Sequence, residues 1–114
     1  MNNERICYRV MGGINLKLQL VKRGEEGELY MIGRLDSSTA YEAEEIMLKL
    51  VDRFDCITLN MAELKYISSS GLRILKQMYM KSVKQGKTLQ VKKVSPFIQE
   101  TFQMTGFAGI LKFI

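Results

Sequence analysis

The sequence predicts an α/β fold in which helices pack on one mixed β-sheet. The first half contains two stretches of alternating apolar residues around a polar turn with two glycines, which is typical of a β-hairpin. The second half alternates short apolar runs with amphipathic segments of helical period, and such units require parallel strands with right-handed crossovers. At 114 residues we expect a single domain over residues 1–114, with its core at about residues 14–112.

The elements of the first half follow in chain order. Residues 6–11 are rich in apolar side chains and predict an edge strand that ends at Gly12 and Gly13. Residues 15–35 predict the hairpin, with its turn at residues 23–27. Residues 39–53 predict the first helix, because their apolar residues recur on one stripe. Thr39 and Glu42 have the spacing of a capping box at the start of this helix. Alternatively, a single polar residue caps the helix, and the candidates are Asp36, Ser37 and Ser38.

The second half begins with residues 56–61, whose few charges predict a central strand. Residues 72–85 predict the second helix, which turns Arg73 and Ile74 outward. Its predicted core stripe consists of Leu72, Leu75, Tyr79 and Val83. The outward Ile74 is a candidate contact for a partner, because it is apolar and lies beside a serine cluster.

The remaining residues predict one more crossover unit. Residues 88–94 predict a strand. Ser95 and Pro96 are typical of a helix start, so we expect a short helix over residues 96–104. Residues 110–114 predict a final strand or a packed tail.

The residue types exclude several classes of enzyme. The chain contains no histidine, which is the commonest general base and metal ligand. Its two cysteines, Cys7 and Cys56, lie far apart in sequence without a second sulfur nearby. No glycine-rich phosphate-binding motif occurs either. We therefore expect a non-enzymatic protein with no metal and no cofactor.

The charge distribution is uneven along the chain. Residues 1–64 contain 8 Lys and Arg against 11 Asp and Glu, whereas residues 65–114 contain 9 Lys and Arg and a single acid, Glu100. The basic half has no aromatic residues interleaved as a base-stacking platform, so we expect no direct contact with nucleic acid. The chain shows no signal peptide and no apolar run that could cross a bilayer, so we expect a cytoplasmic protein without membrane insertion.

Three serines mark the junction between the central strand and the second helix. They are followed by Gly71, and residues 66–73 read YISSSGLR. One interpretation is helix capping, because serine is a preferred N-cap residue. The other is a phosphorylation site, because the free N–H groups and the dipole at a helix N-terminus stabilise a phosphate. If the preceding strands are parallel neighbours, the polar junctions at residues 36–39 and 68–71 lie at the same edge of the sheet, where α/β folds place their sites.

Four stretches in this order identify a family. They are residues 33–40 (GRLDSSTA), 57–61 (ITLNM), 69–72 (SSGL) and 94–107 (VSPFIQETFQMTGF). Their residues and spacing resemble the STAS domain, the small α/β module of bacterial anti-sigma factor antagonists. The resemblance covers about residues 14–112 and implies a STAS-like mixed sheet with helices packed on it.

The resemblance implies partner switching in transcription regulation. An antagonist of this family binds an anti-sigma factor that is also a serine kinase, and the sigma factor is released. The kinase then phosphorylates the first serine of an Asp-Ser-Ser-Gly-Leu motif, and the modified antagonist dissociates. That serine corresponds to Ser69, with Ser70 and Gly71 after it, and the family's acidic residue beside the phosphorylation loop corresponds to Asp36.

The chain departs from the motif at one position, where Ser68 replaces the aspartate. The missing charge either weakens recognition by the kinase, shifts the target among the three serines, or abolishes phosphorylation. We expect partner contacts around Ser69, from Asp36, Ser68, Ser70, Gly71, Arg73 and Ile74. The alternative hypothesis is a STAS scaffold that is not phosphorylated, or a subunit of a signalling or transport complex.

Overall fold

The structure, a computed structural model, describes residues 4–9 and 16–114. Its strands are β1 (Glu4–Arg9), β2 (Leu16–Arg23), β3 (Glu26–Leu35), β4 (Cys56–Ile67), β5 (Thr88–Lys92) and β6 (Lys112–Phe113). Its helices are α1 (Ala40–Arg53), α2 (Ser69–Lys84) and α3 (Pro96–Thr105), followed by a 3-10 turn at Phe107–Gly109. The predicted order of strands and helices is confirmed. The predicted end of the first strand at Gly12 and Gly13 lies outside the described residues.

The six described strands form one mixed sheet in the order β1-β2-β3-β4-β5-β6. The first three strands are antiparallel neighbours, and β3 to β6 run parallel. The β2–β3 hairpin turns at Gly24 and Glu25, where Gly24 adopts a φ of 61°, a backbone conformation that suits a two-residue hairpin loop. The mixed α/β sheet predicted from the sequence is therefore confirmed.

The core lies between the sheet and the helices. Helices α1 and α2 pack against each other and against the parallel strands β3, β4 and β5. Lysine side chains of α2 and the following turn tie the two helices together: Lys81 Nζ lies 2.8 Å from Asp52 Oδ2, and Lys87 Nζ donates to the Val51 carbonyl. Helix α3 packs against β4 and the 3-10 turn, and its Phe102 contacts the rings of Phe107 and Phe113.

Strand β4 is longer than the sequence predicted, since it continues from residue 61 to Ile67. Exposed Glu63 and Lys65 interrupt the apolar run, so the sequence pattern hides this extension. A register irregularity lies at the same point of the β3–β4 ladder, and Asn60 Oδ1 accepts a 3.1 Å hydrogen bond from the backbone N–H of Ala62. The extension matters because it carries the chain to the sheet edge where the serine cluster lies.

The predicted core stripe of α2 is wrong in two places. Ile74, which we expected to face outward, is 2% exposed, whereas Val83, which we placed in the core, is 61% exposed. The buried stripe instead follows Gly71, Ile74, Leu75, Met78 and Ser82, at the i, i+3, i+4, i+7 and i+11 spacing of one helix face. Because this stripe begins with Gly71 and ends with the polar Ser82, the apolar residues alone indicate a face that is rotated away from the true one.

Candidate functional site

The two polar junctions meet at one edge of the sheet, as predicted. Strands β3 and β4 are parallel neighbours, and their last residues, Leu35 and Ile67, are paired in register. The backbone N–H of Ser68 then donates a 2.9 Å hydrogen bond to the Leu35 carbonyl. The loop before α1 and the loop before α2 are therefore fixed side by side.

The three serines of the second junction have different surroundings. Ser68 occupies the N-cap position with extended backbone, and its Oγ accepts a 3.3 Å hydrogen bond from the Gly71 N–H. Ser69 is the first residue of α2 and is exposed, and its hydroxyl makes no hydrogen bond within the described residues. Ser70 is half-buried. The capping interpretation thus applies to Ser68, and Ser69 is the most accessible hydroxyl of the three.

Gly71 allows α2 to approach the strand ends closely. A Cβ atom at this position would lie 2.8 Å from Leu35 Cγ and from Ile67 Cγ1, and 3.0 Å from the Leu35 carbonyl oxygen. These separations are shorter than van der Waals contact, and the carbonyl belongs to a paired strand that cannot move aside freely. A residue without a side chain is therefore required where the helix leaves the serine cluster.

The first junction is organised by Asp36 and Thr39. Asp36 Oδ1 accepts hydrogen bonds from the backbone N–H and the hydroxyl of Ser38, at 3.0 and 2.7 Å. The Ser38 hydroxyl is the main cause that lowers the pKa of Asp36 below its usual value, so the carboxylate stays ionised. Thr39 is the N-cap residue of α1, but its buried hydroxyl makes no bond to the helix amides. It accepts from the Asp36 N–H and donates to the Arg34 carbonyl instead, so Thr39 does not supply its side-chain bond to the capping box that was one of the alternatives for this helix start.

Sequence reasoning missed a contact between the two junctions, made by Arg34. Its guanidinium lies 4.4 Å from the ring centroid of Tyr66, and its Nε lies 3.6 Å from Asp36 Oδ2. Arg34 and Tyr66 are partners in the β3–β4 register. Arg34 lies two positions before Asp36, and Tyr66 lies two positions before Ser68. The sequence singled out Asp36 and Ser68, but only the strand pairing shows that Arg34 and Tyr66 stack.

A groove of about 250 Å³ runs between the N-terminal halves of α1 and α2, next to the serines. Ala40 and Ile74 belong to its lining, so the buried Ile74 lies at its floor instead of projecting into solvent. Arg73 is exposed at its side, as predicted. The polar lining residues are Ser37, Tyr41, Glu44, Ser70, Arg73 and Gln77.

The N-terminus of α2 is a place where negative charge is stabilised. The first amides of α2 have no partner within the helix other than the cap, and the helix dipole favours negative charge there. Within residues 4–9 and 16–114, no group of His, Cys, Asp or Glu side chains is placed to hold a metal ion. In the same part of the chain, no helix is long and apolar enough to cross a membrane.

The fold and the site define a small α/β domain with an exposed serine at the start of a helix. Residues 17–114 match the family model of the STAS domain, and the chain belongs to this family. The assignment that the sequence motifs indicated is therefore confirmed.

Solved structures share the fold at low sequence identity. An anti-sigma factor antagonist from Mycobacterium paratuberculosis is 19% identical, with 86% of this chain and 84% of that chain covered at a TM-score of 0.77. The anti-sigma factor antagonist SpoIIAA in its unphosphorylated form is 18% identical, with 87% of both chains covered and a TM-score of 0.72. The Bacillus cell fate determinant SpoIIAA in the phosphorylated form is also 18% identical, with 87% and 90% covered and a TM-score of 0.66.

Proposed function

We propose that this protein is a cytoplasmic anti-sigma factor antagonist, without enzymatic activity, that binds an anti-sigma factor with serine kinase activity. Phosphorylation of Ser69 switches this binding off. The observation that carries the proposal is the position of Ser69, which is exposed at the first residue of α2 and fixed beside the Asp36 loop. Structures with the same fold include antagonists of anti-sigma factors, one of them in a phosphorylated form, and this supports the proposal.

The fold itself tolerates a phosphate on Ser69. The hydroxyl projects from the first turn of α2, where the helix dipole and unpaired N–H groups stabilise an anion. The cap bond from Gly71 to Ser68 does not involve Ser69, so phosphorylation leaves it in place. We therefore expect phosphorylation to change binding and to leave the domain folded.

The complex does not tolerate the same phosphate. A phosphoserine adds about −1.5 to −2 charges at neutral pH, and this dianion loses its hydration when a partner docks on the loop. A kinase that has bound nucleotide also presents phosphate close to the serine, so like charges repel. The expected result is faster dissociation of the phosphorylated antagonist.

The residues around Ser69 form two groups, those that can contact a partner and those that hold α2 in position. Asp36, Ser70 and Arg73 reach the surface beside Ser69 and are the proposed partner contacts. Gly71 and Ile74 are buried, so we assign them the role of holding α2 in position against the strands and α1.

Ser68 explains how the site keeps its shape without the aspartate of the motif. Serine and aspartate are comparable N-caps, so the helix start is preserved while one negative charge is lost. The proposed consequence is a partner that recognises this loop without needing an acid at position 68. Ser68 is unsuited as the target, because its hydroxyl is engaged with the Gly71 N–H.

The test is to locate phosphate on one peptide. Cleavage after Lys65 and Arg73 releases residues 66–73, which contain all three serines, and fragmentation identifies the modified one. The protein is isolated from its own cells in growth and under stress, with Ser69→Ala as the control variant. We expect phosphate on Ser69 that changes with condition and is absent from Ser69→Ala.

Other results would change the proposal in defined ways. Phosphate on Ser68 or Ser70 would retain a switch but refute Ser69 as its site. A peptide that is unmodified in every condition would refute the switch. Constitutive association with a membrane complex would then favour a scaffold or a subunit of a signalling or transport complex.

A further inference from the structure

The groove between α1 and α2 has an apolar floor and polar walls. Ala40 and Ile74 line it from the two helices, and Ile74 is buried. Tyr41 stands at its side with 75% of its surface exposed, which is unusual for a large aromatic residue. At about 250 Å³ the groove has room for one large side chain of another molecule.

Two acceptor groups of residues that line the groove have no partner among residues 4–9 and 16–114. Glu44 forms no ion pair or hydrogen bond with the residues that the structure describes. Gln77 lines the groove, and its Oε1 atom is buried yet accepts no hydrogen bond from any described residue. A buried acceptor without a donor costs free energy, so a ligand that supplies a donor gains affinity when the Gln77 amide turns its Oε1 atom into the groove.

We propose that this groove binds an arginine side chain that the partner protein presents to it. This inference rests on the proposed function only for the class of partner, which is a protein. The groove adjoins the serine loop through Ser70 and Arg73, so a partner docked over Ser69 extends over it.

The chemistry of arginine matches the groove along its whole length. Its aliphatic stem packs on Ala40 and Ile74. Its planar guanidinium carries five donors, enough for the Glu44 carboxylate and for Gln77 Oε1 at once. The exposed ring of Tyr41 provides a face for cation–π stacking.

The opposing charge in the groove is Arg73, which repels a second cation. Arg73 is exposed, so water and salt weaken the repulsion, whereas the interaction with the half-buried Glu44 is screened less. An acidic side chain from the partner would pair with Arg73 but would face Glu44 and leave Gln77 Oε1 without a donor. The groove therefore favours a cation over an anion.

The test measures binding of N-acetyl-L-arginine amide to the full chain by NMR. The neutral analogue N-acetyl-L-citrulline amide has nearly the same shape and serves as the control ligand. We expect saturable shifts of the Tyr41, Glu44 and Gln77 signals in the millimolar range with the arginine amide, and none with the citrulline amide.

Three variants identify the residues responsible. Glu44→Gln should weaken binding about tenfold or more, because it removes a charge-assisted hydrogen bond. Glu45→Gln is the matched control, since Glu45 is the exposed neighbour outside this groove, and its affinity should stay within about twofold. Arg73→Gln should tighten binding, because it removes the like charge.

Several outcomes would overturn the inference. Equal shifts with the citrulline amide, no saturable shifts with the arginine amide, or equal losses in Glu44→Gln and Glu45→Gln would each refute an arginine site. Arginine amide binding that is lost in Arg73→Gln would also refute it, because removing a like charge should strengthen the binding of a cation at this site. No kinase takes part in this titration, so its failure leaves the phosphorylation of Ser69 untouched, and an unmodified Ser69 leaves the titration result untouched.

Discussion

The backbone N–H of Ser68 donates a 2.9 Å hydrogen bond to the carbonyl oxygen of Leu35, which joins the ends of two parallel strands. This bond extends the β3–β4 ladder by one residue beyond the pair Leu35 and Ile67. It brings the loop that carries Asp36 next to the loop that carries Ser69. A partner that docks at this edge therefore meets both loops as one surface of fixed geometry.

Gly71→Ala should lower the free energy of unfolding by about 2 kcal/mol. The new methyl group would meet Leu35 and Ile67 at 2.8 Å, and this overpacking outweighs the gain of about 1 kcal/mol in helix propensity. Urea denaturation measures the change. Gly109→Ala is the matched control, because its Cβ would meet nothing within 4 Å, and its unfolding free energy should change little. Equal stability of the Gly71 and Gly109 variants would contradict the close approach of α2 to the strands.

Ser68→Ala should cost about 1 kcal/mol of unfolding free energy, because the Gly71 N–H loses its acceptor. Ser68→Asp should keep the stability of the natural protein within about 0.5 kcal/mol, since aspartate caps equally well. Ser69→Ala should also stay within about 0.5 kcal/mol, because its exposed hydroxyl makes no hydrogen bond to any residue that the structure describes. Thermal or urea unfolding of the three variants compares them directly. If Ser69→Ala lowered the unfolding free energy as much as Ser68→Ala, the assignment of Ser68 as the N-cap would be wrong.

Two buried hydroxyls should respond to substitution in opposite directions. Ser82 Oγ is buried without a partner among the described residues, so Ser82→Ala should raise the unfolding free energy by about 1 kcal/mol. The hydroxyl of Thr39 forms hydrogen bonds with the backbone of Asp36 and Arg34, so Thr39→Val should lower the unfolding free energy by about 2 kcal/mol. Denaturant midpoints of both variants test the pair. A destabilised Ser82→Ala would show that the serine hydroxyl has a partner in solution.

Glu28 should make the protein sensitive to acid. Burial raises its pKa, but hydrogen bonds from Asn60 and Lys92 and the charge of Lys92 outweigh burial, so the pKa lies below the ordinary value of 4.5. Because the pKa is lower in the folded state, the ionised carboxylate stabilises the protein above pH 4.5, and this contribution is lost as the pH falls through the folded pKa. Unfolding free energy measured from neutral pH down to pH 3 should show this fall.

Substitution of Glu28 provides the check. Glu28→Gln should reduce the acid-dependent loss of stability, whereas Glu26→Gln, at an exposed position two residues before it, should leave the loss nearly unchanged. A pH profile that is the same for Glu28→Gln and the natural protein would show that Glu28 is not linked to folding.

Local sequence patterns determined most of the fold. The order of strands and helices, the hairpin turn around Gly24 and the helix start at Ser95 and Pro96 were all predicted, because period, turn formation and capping depend on neighbouring residues. The meeting of the two polar junctions was predicted on the condition that the preceding strands are parallel neighbours, and the pairing of β3 with β4 meets that condition. The serine cluster and Asp36 were located by motif.

The tertiary structure decided which faces are covered and which side chains meet. Ile74 is buried and Val83 is exposed because α2 lies against both α1 and the sheet. The helical period of about 3.6 residues locates an apolar stripe but does not predict which side of that stripe a neighbouring helix or strand will cover. Arg34 stacks on Tyr66 because β3 and β4 pair in one register, which relates residues that are 32 positions apart. Sequence fixes the local conformation of each segment through short-range sterics and hydrogen bonding, whereas burial and stacking depend on contacts that exist only after the segments have packed.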